Sequence, residues 1–136
     1  MNRFREYAEL LLEKAQEDVR VLECLARDPD PPVSGVGFHA QQTVEKCLKA
    51  VLTGHNVEIA RTHRLGKLIA VLREKGLPLP PQADRLDELT RYAVVLRYDR
   101  IASDEGAGKP LDVAWAFAVA REVEAWARAR LGMKDK

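Results

Sequence analysis

The stretch FHAQQTVEKCLKAVL, residues 38–52, sets Val44, Leu48 and Val51 at intervals of four and three, with Leu52 beside them. That is one face of an amphipathic helix. His39, Gln41, Gln42, Glu45, Lys46 and Lys49 spread over much of the remaining circumference. A helix of this kind in the middle of a small protein needs a partner for each polar group it buries, because an unpaired buried donor or acceptor is costly. The helix is expected from about Gly37 to Leu52, with Gly54 as a C-cap.

On its N-terminal side, residues 28–37 read DPDPPVSGVG, a stiff connection that cannot continue a helix. Before it, residues 3–27 place Phe4, Ala8, Leu11, Ala15, Val19, Leu22 and Ala26 three and four apart, which predicts a long first helix. On the C-terminal side, Thr62 is the expected N-cap of a short helix carrying Leu65, Leu68, Ile69 and Leu72 and closing at Gly76. A fourth helix is expected to start near Pro81, to bury Leu86, Leu89, Ala93 and Leu96, and to end near Arg97 or Tyr98. Residues 99–109 are polar and aperiodic and read as a surface loop. From Pro110 to Leu131 one stripe of Val113, Ala116, Ala120, Val123 and Ala127 runs beside a second of Trp115, Val119 and Trp126. Two apolar lines predict two neighbours. No stretch shows sustained strand-like alternation, so the expected fold is all-α, an antiparallel four- to five-helix up-and-down bundle. Residues 1–136 are expected to form one domain, with 132–136 a short tail.

The chain carries 22 Lys plus Arg against 21 Asp plus Glu, a formal net charge of +1. No overall field draws it to nucleic acid or to an anionic membrane, so such binding requires a local patch. Cys24 and Cys47 lie in helical patterns without a CxxC, a signal peptide or a membrane-length apolar run, and the expectation is free thiols in a cytoplasmic protein.

GVGFHA matches G-x-G-x-x-A at Gly35, Gly37 and Ala40, but a dinucleotide fingerprint needs a strand before it, and DPDPPVS is not one. SDEGAGKP lacks both the first glycine and the final Ser/Thr of a P-loop. His39, His55 and His63 have neither the mutual spacing nor the nearby ligands of a metal site, so no metal or cofactor is expected. His39 shares a face with Thr43 and Lys46 and reads first as a satisfied interfacial histidine. Arg91 and Tyr92, followed by Arg97 and Tyr98, form either an amphipathic helix end or a platform on which guanidinium groups grip phosphate and tyrosine rings stack on bases.

Taken together, FHAQQTVEKCLKAVL, the downstream RTHRLGKLIAVL and the late RYAVVLRYD resemble a HEPN domain across residues 1–131. The resemblance implies a helical bundle that often forms a homodimer, is frequently encoded with a minimal nucleotidyltransferase in toxin–antitoxin-like systems, and in many members is a metal-independent ribonuclease. Those ribonucleases carry Arg, four to six residues, then His. Arg97 stands at the matching place, but residues 102–104 are Ala, Ser and Asp, so the pair is incomplete. The expected function is therefore binding of a nucleotide, an RNA or a partner nucleotidyltransferase through Arg97, Tyr98, Arg91, His39, Gln42 and Lys46. The alternatives are a ribonuclease pairing Arg97 with His39 and a purely structural assembly module.

Overall fold

Proline and glycine between residues 28 and 37 separate two long helices whose faces then have to meet. In the computed structural model, which describes residues 3–59, 61–93 and 110–133, these are α1 (Arg3–Ala26) and α2 (Val33–Gly54). They run antiparallel, since Leu25 lies against Gly35, Asp18 bonds to His39 and Lys46, and Ala8 lies near Gly54. α1 buries Ala8, Leu12, Ala15, Asp18, Val19 and Leu22. Leu12 takes the core position expected of Leu11, while Phe4 and Ala26 stay exposed.

α2 starts four residues before the expected Gly37. Pro32 supplies an extended N-cap with φ −64° and ψ 120°, and its carbonyl accepts the first helical bond from Val36 N–H at 3.0 Å. Gly35 and Gly37 thus lie inside the helix. Gly37 is required by packing: a Cβ there would stand 2.5 Å from the Tyr92 ring. Gly54 likewise makes room for Leu131 and is the last helical residue, the C-cap falling on His55.

α3 (Leu65–Glu74) buries Leu65, Leu68, Ile69 and Leu72 as expected and turns out at Gly76, whose φ of 69° suits glycine. Its cap differs from the expectation. Thr62 Oγ1 accepts only from Arg64 N–H (3.1 Å), and the helix N-terminus is capped from a distant segment: Leu65 N–H donates to Thr90 Oγ1 (3.0 Å) and Gly66 N–H to Asp87 Oδ1 (2.8 Å). That segment, Leu86–Tyr92, is a 3₁₀ helix rather than an α-helix beginning at Pro81. Gln82 breaks the run with a left-handed φ of 56°, a conformation that ends α-helical progression. Leu86 and Leu89 are nevertheless fully buried. The expected extension to Arg97 or Tyr98 and the loop at 99–109 lie outside the described residues.

The last helix, α4 (Val113–Arg130), is capped by Asp112, whose carboxylate accepts from Trp115 N–H at 3.0 Å. Arg5 donates to the Leu131 carbonyl and Arg121 pairs with Glu23, so α4 runs antiparallel to α1. α2 touches all the other elements and forms the axis of an all-α bundle with no strand among the described residues. The second line of α4 is covered within the chain rather than bare. Trp115 donates its indole N–H to Gln82 Oε1 (2.7 Å) under the Arg85 guanidinium, 4.2 Å from the ring centroid, and Trp126 packs half-buried on the core.

Candidate functional site

Because α2 is enclosed by its neighbours, its polar residues meet protein instead of water. Two carboxylates collect them. Asp18 of α1, 7% exposed, stands on the apolar stripe of that helix and accepts from His39 Nδ1 (2.8 Å) and Lys46 Nζ (2.5 Å). Glu45 of α2, 6% exposed, accepts from Lys49 Nζ (2.8 Å), Gln41 Nε2 (2.9 Å) and His63 Nδ1 (3.0 Å). Gln41 also donates to the His63 carbonyl, Gln42 donates to Gln41 Oε1 at 2.7 Å, and the Thr43 hydroxyl donates to the His39 carbonyl. Nearly every polar group that made the helix unusual has an intramolecular partner.

The electrostatics follow from these bonds. Burial alone would raise the Glu45 pKa, but the hydrogen bonds from Lys49, Gln41 and His63, with the charge of Lys49, outweigh it and hold the carboxyl below its ordinary value of 4.5. A carboxylate can only accept, so Nδ1 of His39 and of His63 carries the proton, which leaves each neutral ring its Nε2 as a base. His55 donates from Nδ1 to the Val51 carbonyl (2.8 Å). Burial pushes the Cys47 thiol pKa far up, whereas Cys24 is exposed. Among the described residues no group of three or more His, Cys, Asp or Glu side chains is placed to hold a metal, and no helix is long and apolar enough to cross a membrane.

Of the residues selected from sequence, His39 and Lys46 meet on Asp18, and Gln42 joins the Glu45 cluster through Gln41. Arg91 donates to the Tyr92 hydroxyl (2.9 Å), with its guanidinium 4.9 Å from that ring's centroid. Tyr92 in turn seats on Gly37 at the start of α2. Arg97 and Tyr98 lie outside the described residues. Asp18 escaped sequence reasoning, although an acidic residue three beyond Ala15 and four before Leu22 on the buried stripe was its visible signal.

The geometry can fix two imidazoles and two ammonium groups in charge-balanced clusters and can present a guanidinium on an aromatic ring. The family model described as the HEPN domain matches residues 8–130. Comparison with curated proteins and with solved structures returned no match.

Proposed function

The chain belongs to the HEPN domain family, and from that membership we propose that it binds RNA or a nucleotide without cutting it, in company with a partner nucleotidyltransferase. The observation that carries the non-catalytic part is the commitment of α2. His39 with Lys46, and His63 with Lys49, each share one buried carboxylate, so the charges of this face are spent inside the bundle, at Asp18 between α1 and α2, and at Glu45 within α2 and to the segment before α3. The Arg91–Tyr92 pair supports the binding part, since a guanidinium held on a tyrosine ring is placed to meet a phosphate. Arg97 and Tyr98 are proposed as further contacts to phosphate and base. The homodimer and the nucleotidyltransferase rest on family membership, the covered Trp115 line giving no further ground for a second copy.

End-labelled RNA mixed with the protein in chelator tests this reading. The RNA is expected to be retained at low salt, released as salt rises, retained less by Arg97→Ala, and recovered intact. One contact favours a second reading: the 2.8 Å Asp18–His39 pair, with His39 27% exposed on its side chain, orients a histidine as general bases are oriented. Cleavage without metal that disappears in His39→Ala would install that reading instead.

A further inference from the structure

Away from both carboxylate clusters, a cleft of about 590 Å³ opens between the N-terminus of α1, the C-terminal half of α2 and the strand-free segment that follows it. Its volume is in the range of small-ligand sites, roughly 300–1,000 Å³. Phe4 and Tyr7 stand on its wall with 38% and 48% of their surface exposed, and of the exposed apolar side chains of α1, which include Leu10 and Val21, these two rings face the cleft. Arg3 and Arg61 line the same cleft, are exposed, and have no ion-pair or hydrogen-bond partner among the described residues. Lys49 is already neutralised by Glu45 at 2.8 Å, and Glu58 is the one carboxylate on the lining. Deeper in, Thr53 is only 3% exposed, yet its hydroxyl forms no hydrogen bond among the described residues. Because that hydroxyl lines the cleft, it is a ready contact for a polar ligand.

We propose that this cleft binds a nucleoside monophosphate, its base against Tyr7 or Phe4, its phosphate between Arg3 and Arg61, and a ribose or base polar atom on the Thr53 hydroxyl. Aromatic faces take any base, because every base has a π-face, and guanidinium forks match phosphate oxygens. An uncharged apolar ligand would leave two arginines and a hydroxyl unused, and a cationic one would meet both arginines. The inference rests on the nucleotide-binding reading above and gives it a location distinct from the Arg91 platform.

Calorimetric titration of the full chain with adenosine 5′-monophosphate, adenosine and inorganic phosphate tests it, alongside RNA retention on the same samples. AMP is expected to bind more tightly than either fragment, with affinity falling as salt rises. Tyr7→Ala and Arg61→Ala, both at exposed positions where folding is unaffected, should each weaken AMP by about tenfold, the scale of one lost stacking or charge-assisted contact. Thr53→Val should weaken it by a smaller factor, and Arg20→Ala, at an exposed position off the cleft, should leave it unchanged. AMP binding indifferent to Tyr7→Ala and Arg61→Ala, or RNA retention without AMP binding, overturns the cleft and leaves the family reading standing. Failure of both AMP and RNA to bind overturns both.

Discussion

Glu45 shows how one side chain decides what a polar helix is for. Its carboxylate is buried, and it stays charged because three donors surround it. Its pKa is lower in the folded chain than in the unfolded one, so the stability it contributes is fully present above the ordinary carboxylate value of 4.5 and is lost as pH falls through the lower folded value. Urea unfolding between neutral pH and pH 3 should show that loss, with a smaller acid dependence in Glu45→Gln. Removing the carboxylate altogether leaves Lys49 without its counter-charge, and Glu45→Ala should cost about 3 kcal/mol at neutral pH, as breaking buried pairs does. The cysteines offer an independent check of burial. An aromatic disulfide reagent should titrate one thiol quickly in the native protein, Cys24, and Cys47 only after denaturation, since a buried thiol with a raised pKa supplies almost no thiolate. That Gln41, Gln42, Glu45, Lys46 and Lys49 would be paired was legible in the sequence. Their partners were less so: Asp18 is hidden in an apolar stripe, and the His63 contact spans 18 residues of chain, beyond any local periodicity. The contact also joins two of the three stretches that carry the family resemblance, EKCLKA and RTH.

Among the elements, α2 and α3 differ from expectation for reasons that lie in tertiary contacts. Counting prolines and glycines places the start of α2 at Gly37, but Pro32 sits at an N-cap, where proline is harmless, and the glycines that follow serve packing. Gly37→Ala tests this: the methyl group would meet the Tyr92 ring, and thermal unfolding should register about 1–3 kcal/mol of overpacking, whereas Gly35→Ala, whose methyl would meet Pro32 and Leu25 at ordinary contact distances of 3.6 and 3.9 Å, should be neutral or stabilising. Hydrophobic spacing found Leu86 and Leu89 correctly because a 3₁₀ turn and an α-turn both bring residues three apart to one side. It could not reveal that Asp87 and Thr90 cap a helix more than 20 residues earlier in the chain. Asp87→Ala should therefore destabilise by about 1 kcal/mol, the worth of an N-cap, and amide exchange should quicken at Leu65 and Gly66 rather than at the substituted segment.

At the scale of the molecule, a helix enclosed by its neighbours answers the question raised by its polar circumference: its charges and amides tie the bundle together. The same chain leaves two other places where a phosphate and a base could be met, the Arg91–Tyr92 end of the 3₁₀ helix and the cleft beside Tyr7. The all-α bundle and the family were legible because periodicity and motif order extend over nearly the whole chain, and the family model matches residues 8–130. The cleft was not, because only Arg3 and Tyr7 share a helical spacing, and they meet Thr53 and Arg61 through the packing of α1 against α2 and the segment after it. The central claim is that this HEPN protein holds nucleic acid and leaves it whole. Time-resolved fluorescence anisotropy of an end-labelled short RNA in chelator reads both halves at once. The account predicts a rise on adding protein that holds steady for hours and reverses with salt. No rise would contradict the binding, and a rise that decays as labelled fragments are released, persistent only in His39→Ala, would contradict the claim that the RNA is left uncut.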